Sequence, residues 1–141
     1  MPNTRVIQAK RLGVLTCAQD ATLAEAAQRM TGEDVSALVV VDEEGALAGI
    51  ISRTDLLAAW HEGGAWAERK VSERMSRSVV TVELNASLGE VTDLLLQSRI
   101  HRVVIVRREA DKVRPVGVIS AADIVYHMLK QEARARSAAS G

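Results

Sequence analysis

A serine stands three residues ahead of an aspartate twice in this chain, each time at the end of an apolar run. The pairs are Ser52 and Asp55 in "GIISRTDL" (49–56), and Ser120 and Asp123 in "GVISAADI" (117–124). The run before each serine reads as a strand and the run after it as a helix, so the serine falls near an N-cap and the aspartate in the first turn. Backbone N–H groups at a helix start attract anions, and the serine hydroxyl adds a donor, so a phosphate fits there. An ionised carboxylate only accepts hydrogen bonds, which suits the two hydroxyls of a ribose. The same S-x-x-D spacing is also close to a capping box, with the serine capping the helix and the aspartate favouring its N-terminal dipole. The two roles are compatible, and the phrase alone does not choose between them.

A second set of chemistry-bearing residues is "IHRVV", where His101 and Arg102 open a Val-rich run. Arginine presents a planar fork of donors matched to phosphate oxygens, and histidine presents one donor, or two when protonated. The plain alternative is a strand-end histidine beside a solvated arginine. Other chemistry finds little support. His61, His101 and His127 lie far apart with no Cys/His spacing, which argues against a zinc site. Cys17 sits in an apolar stretch with no base near it in sequence and reads as packed rather than nucleophilic. There is no P-loop, G-x-G-x-x-G or G-x-S-x-G phrase.

The elements that must position these residues come from a duplication. Sliding the sequence by 65 positions lays "GVLTCAQDATLAEA" (13–26) on "SVVTVELNASLGEV" (78–91), so that Thr16 meets Thr81 and Leu23 meets Leu88. Beyond residue 106 the offset grows to 68, and Gly49, Ser52 and Asp55 meet Gly117, Ser120 and Asp123. The three extra residues belong to "RREADKVRP" (107–115), the counterpart of "DEEG" (42–45), and both stretches read as hairpin connections. Each copy predicts strand, helix, strand, strand, helix. The first helix is expected to start at a cap-like Asp20 or Thr22 and to bury Leu23, Ala27 and Met30; its counterpart buries Leu88, Val91 and Leu95. "HEGGAWAERKVSERMSR" (61–77) joins the copies, with Gly63 and Gly64 at the break. The tail "QEARARSAASG" (131–141) is expected to fray.

Composition narrows the function classes. Eighteen basic residues balance eighteen acidic ones, and Trp60, Trp66 and Tyr126 are the only aromatics. Neither a one-signed field nor a stacking surface points to nucleic acid. No apolar run approaches the ~20 residues that span a bilayer, and "MPNTRVIQAKRLG" has no apolar signal core. A single cysteine fits a reducing compartment, so the expected location is cytoplasmic, with no membrane or nucleic-acid partner.

The paired phrases, with "VSALVVVDEEG" (35–45), "RIHRVVIV" (99–106) and "VSERMSRSVVTV" (71–82), resemble the cystathionine-β-synthase (CBS) domain. Two in tandem look like a CBS pair, or Bateman module, covering almost the whole chain. The resemblance implies an α+β fold of two strand-helix-strand-strand-helix repeats packed as a pseudo-twofold pair. Its expected boundaries are 7–62 for the first repeat, 63–70 for a linker, 71–130 for the second repeat and 131–141 for a flexible tail. It implies regulatory binding and not catalysis, with no required cofactor. CBS pairs commonly bind AMP, ADP, ATP or S-adenosylmethionine in clefts between the repeats. With no room for an enzyme domain, the chain looks like a stand-alone module whose regulated partner is a separate protein. Such pairs usually form disc-like homodimers. The rival readings are an S-adenosylmethionine or NAD(H) binder, and a structural dimerisation module with empty clefts.

Carried onto this sequence, the family's composite sites give an asymmetric expectation. The first site takes Thr16, Val35, Ser36 and Ala37 on the base side, and His101, Arg102, Ser120 and Asp123 for ribose and phosphate. The second, weaker site takes Thr81, Ile100 and the backbone at His101 for the base, with Ser52, Thr54 and Asp55 opposite. Ser36 and Ala37 replace the His-Arg pair in the first copy, and Arg53 stands by as a partial substitute.

Overall fold

The computed structural model describes residues 4–9 and 13–140; residues 10–12 of the expected first repeat and Gly141 of the expected tail lie outside them. In chain order the elements are α1 (Val6–Ala9), β1 (Thr16–Ala18), α2 (Leu23–Glu33), β2 (Ala37–Val41), β3 (Leu47–Ser52), α3 (Arg53–Glu62), β4 (Thr81–Glu83), α4 (Leu88–Ser98), β5 (Arg102–Glu109), β6 (Lys112–Ser120) and α5 (Ala121–Ser140). Two three-stranded sheets result, ordered β1-β2-β3 and β4-β5-β6. The fold is α+β, and strand, helix, strand, strand, helix holds in both copies.

The chain divides into two compact units that do not follow the repeat boundaries. The first gathers residues 1–13, 80–107 and 116–141; the second gathers residues 14–79 and 108–115. The segment ahead of β1 thus belongs with the second repeat. Val6 is fully buried in that repeat's core, its N–H donates to Ala86 O at 2.9 Å, and Leu88 N donates to Thr4 O at 2.7 Å.

In the second unit β1 runs parallel to β2, with Thr16 opposite Val39, and β2 runs antiparallel to β3. Thr22, not Asp20, is the N-cap of α2: its hydroxyl accepts from Glu25 N at 3.1 Å, and Glu25 reaches back to Thr22 N. The helix buries Leu23, Ala26 and Met30 against Leu38, Val40 and Ile51. Ala26 and not Ala27 completes the buried stripe, a shift of about 100° around the helix that three positions from Leu23 still accommodates. In the first unit β4 runs parallel to β5, with Thr81 opposite Val104, and α4 buries Leu88, Val91 and Leu95 as expected.

Two expectations about irregular segments change. "RREADKVRP" is not all loop. β5 and β6 run through it and turn on Ala110 and Asp111 alone, with Ala110 at φ 56°. The tip belongs to the second unit, where Lys112 pairs with Glu44 at 3.0 Å. The expected fraying tail is instead the last half of α5, which runs to Ser140. Gln, Glu, Ala and Arg are good helix formers, and Glu132 pairs with Arg136 one turn on at 3.0 Å.

The glycine of each repeated phrase makes room for incoming backbone. Ile50 and Ser76 exchange N–H···O bonds of 2.9 Å beside Gly49, where a Cβ would come within 2.6 Å of Ser76 O. In the first unit Gly117 is bridged by Gly13.

Candidate functional site

The serine–aspartate pairs close into nearly identical boxes. At the start of α3, Ser52 N and Oγ donate to Asp55 Oδ2 at 2.8 and 3.0 Å, and Asp55 N donates to Ser52 Oγ at 3.3 Å. At the start of α5, Ser120 N and Oγ donate to Asp123 Oδ2 at 2.8 and 3.1 Å, with Asp123 N to Ser120 Oγ at 3.3 Å. All four side chains are partly buried. The capping role is therefore realised in full. It uses donors that the sequence reading left open to an anion.

A further backbone bond consumes the first helical amide. Arg53 N donates to Ser36 O, and Ala121 N donates to His101 O, both at 3.0 Å. Positions N1 and N3 of each helix are thus engaged, and the N2 amides, of Thr54 and Ala122, are the ones a ligand would meet. The same bond fixes which residues come together. In the second unit it sets Ser36 and Ala37 beside Ser52, Thr54 and Asp55, and Ala37 is also the ladder partner of Ser52. In the first unit it sets His101 and Arg102 beside Ser120 and Asp123.

Each unit thus holds one of the sets expected on the base side and one of the sets expected on the sugar-phosphate side. Thr16 joins the second unit's sheet through Val39, and Thr81 joins the first unit's through Val104. Val35 and Ile100 are partly buried against their units' cores. Thr54, Ser36 and His101 are exposed, and Arg102 is half-buried. Cys17, on β1 beside Thr16, has its thiol pushed up to about 11 by burial, which keeps it protonated and unreactive at neutral pH.

The sequence reading missed what precedes each of these sets. Asp34 ends α2 and Arg99 ends α4, both in the left-handed region at φ 52°. They are 65 positions apart, so they are equivalents of opposite charge. The next residue repeats too: Val35 N donates to Met30 O and Ile100 N to Leu95 O. Arg53 is turned to Asp34, Nη2 to Oδ1 3.5 Å, rather than standing alone beside Asp55. The available signal was the repeat offset applied to helix ends.

With this geometry in view, comparison with known proteins is decisive. The family model described as CBS domain matches residues 9–62 and again 71–130. The chain belongs to the CBS-domain family. The CBS domain-containing protein YhcV of Bacillus subtilis is 31% identical over 119 residues, covering 84% of this chain and 81% of YhcV. An uncharacterised protein of Methanocaldococcus jannaschii, MJ1404, is 29% identical over 112 residues, 79% of this chain, but the chain spans only 26% of its length. Among solved structures, the CBS domain pair of protein MJ0100 superposes with a TM-score of 0.79 at 25% identity, covering 92% of this chain and 99% of that one. That pair was solved in complex with 5'-methylthioadenosine and S-adenosyl-L-methionine. Among the described residues of this CBS-family chain, no helix is long and apolar enough to cross a membrane.

Proposed function

We propose that this CBS pair is a regulatory module that binds an adenosine-containing ligand, of the AMP, ADP or ATP class, and signals to a separate protein. The observation that carries the reading is the doubled half-site: a serine–aspartate box at a helix start, tied by backbone to the residues opening the neighbouring strand. The carboxylates of Asp55 and Asp123 suit ribose hydroxyls, and the N2 amides suit a phosphate oxygen. His101 and Arg102 add donors at one box, so the phosphorylated ligand favours Asp123 over Asp55. The ligand acts by binding two states of the module unequally, not by catalysis. The ligands of the MJ0100 pair, both adenosine compounds without a phosphate, support an adenosine-containing ligand, and the phosphate rests on His101 and Arg102.

A thermal-shift screen with AMP, ADP, ATP, NADH and S-adenosylmethionine tests the reading. A ligand at 100 times its Kd adds about 2.7 kcal/mol of stability. Calorimetry of Asp123→Ala and Asp55→Ala follows, with the larger loss expected for Asp123→Ala. Equal losses, or none at Asp123, count against the asymmetry.

One observation favours a second reading. Both boxes are already bonded internally, so Ser-x-x-Asp functions as a cap without any ligand. Leu57 and Trp60 on α3, and separately Tyr126 and Leu129 on α5, are each more than 60% exposed, and large apolar groups of this kind suit contact with a second copy of the chain. Absence of any thermal shift at millimolar ligand, with a dimer by light scattering, selects a structural dimerisation module. The working location in either case is the cytoplasm.

A further inference from the structure

The two half-sites share a backbone and differ in charge. Beside the box of the first unit are His101 and Arg102, with Arg99 capping α4 just before them and Ala121 opening the helix. At the equivalent places in the second unit stand Asp34, Ser36 and Ala37, with Arg53 opening the helix. With histidine neutral, the first set carries two positive charges and the second sums to zero. The box aspartates contribute equally to both and cancel in the comparison.

The equivalence is geometric as well as sequential. Asp34 and Arg99 occupy the same left-handed cap at φ 52°, and the carbonyls two residues on, of Ser36 and His101, accept the same helix-start amide at 3.0 Å. Within the second unit's set the cation that could meet a phosphate is Arg53. Its guanidinium is directed at Asp34, Nη2 to Oδ1 3.5 Å. Asp34 thus acts against an anion by its own charge and, through this exposed pair, by drawing the Arg53 guanidinium towards itself.

We propose that Asp34 is a specificity-determining residue: it makes the second unit's half-site select an adenosine ligand without a phosphate, while the first unit's half-site takes the phosphorylated one. This rests on the adenosine-binding reading above. The module then reports two chemically distinct adenosine species rather than one species twice. Asparagine tolerates the left-handed region, so Asp34→Asn removes the charge while keeping the cap.

The test is titration calorimetry of the full chain carrying Asp123→Ala, which disables the first unit's half-site. In that background adenosine binds more tightly than AMP, by about threefold or more. Adding Asp34→Asn raises AMP affinity about three- to tenfold and moves adenosine by less than about twofold, the scale of one partly screened charge. Adding Arg53→Ala returns AMP to its starting affinity, and raising the salt shrinks the gain. The proposal is overturned if AMP binds as tightly as adenosine or more tightly before Asp34 is changed, if Asp34→Asn leaves AMP unmoved while adenosine binds, or if the Asp123→Ala chain binds neither. Those results leave the adenosine-binding reading standing when the unsubstituted chain binds AMP. Failure of the unsubstituted chain to bind any adenosine compound overturns the reading itself, and the proposal with it.

Discussion

Ser120 and Asp123 are bonded to one another three times, through Ser120 N, Ser120 Oγ and Asp123 N, and both of the serine's donors converge on a single carboxylate oxygen, Oδ2. The box fixes the orientation of the carboxylate before any ligand arrives. A carboxylate oxygen has more than one acceptor site, so a ribose hydroxyl can add to the box without breaking it. A phosphate that draws on Ser120 Oγ must instead compete with Asp123 for the hydroxyl proton. On the proposed reading, the carboxylate is the preorganised recognition element and the serine chiefly its support.

Ser120→Ala removes the cap but keeps the Ser120 N–Asp123 bond. It should cost about 1 kcal/mol in urea unfolding while preserving most of the ligand-induced rise in Tm. Asp123→Ala should cost a similar amount and abolish the ligand-induced rise contributed by the first unit's half-site. If the two substitutions diminish the ligand-induced rise equally, the division of labour between carboxylate and hydroxyl is wrong.

Gly49→Ala drives a Cβ to 2.6 Å from Ser76 O and 2.9 Å from Met75 Sδ. The first neighbour is backbone, held by the two bonds between Ile50 and Ser76, so it cannot move cheaply. A loss of about 2 kcal/mol is expected. Gly32→Ala, in α2 with nothing within 4 Å of the new methyl, should instead gain up to about 1 kcal/mol. Opposite signs in chemical denaturation check both at once. Two losses of equal size would mean that glycine at position 49 is not needed for close approach.

Cys17 gives the fold a pH dependence at the alkaline end. Burial raises its thiol from an ordinary 9.0 to about 11, with the nearby charge of Arg29 acting weakly the other way. The folded-state value lies above the unfolded one, so the protonated thiol's contribution is complete below pH 9 and is lost as pH rises towards 11. Cys17→Ala should flatten this decline between pH 9 and 11. Native Cys17 should label slowly with a disulfide reagent at pH 8 and quickly in urea. Fast labelling of the folded chain at pH 8 would contradict the burial argument.

Local chemistry was the legible part of this fold. The doubled Ser-x-x-Asp phrase, a cap at Asp20 or Thr22 and the Leu88, Val91, Leu95 stripe each depend on residues within about one or two helical turns, where propensity and period act directly. What stayed hidden depends on partners far along the chain. Ser36 O takes the Arg53 amide and His101 O the Ala121 amide, so the helix starts offer an anion fewer donors than their sequences imply. The hairpin "RREADKVRP" was hidden for another reason. Charged side chains on a solvent-facing ladder look like loop in composition, yet they pair as strand. For the candidate site, residue identity was readable at both boxes. The opposition of Asp34 and Arg99 was readable only through the repeat offset, because helix ends are set by φ rather than by hydrophobic pattern.

The segment ahead of β1 supplies the clearest long-range case. Val6 is wholly buried among Val82, Leu88, Val91, Val103 and Ile119, about 75 residues or more away in sequence. Its neighbours are bound there as well: Arg5 Nη1 donates to Asn85 O at 2.9 Å, and Arg5 bridges Ser87. This segment covers the start of α4, whose first amide, Leu88 N, has Thr4 O as its acceptor. Deleting residues 1–9 removes a core side chain and leaves that amide unpaired, and the two losses act on the same unit. Val6→Ala alone should cost about 2 kcal/mol. The deletion should cost more, and its effect should fall on the second repeat. In hydrogen exchange the amides of α4 and β5 should lose protection, while those of α2 and β2 keep theirs. A uniform loss across both units would show that the segment stabilises the chain without belonging to either repeat. Loss confined to α2 and β2 would reverse the assignment.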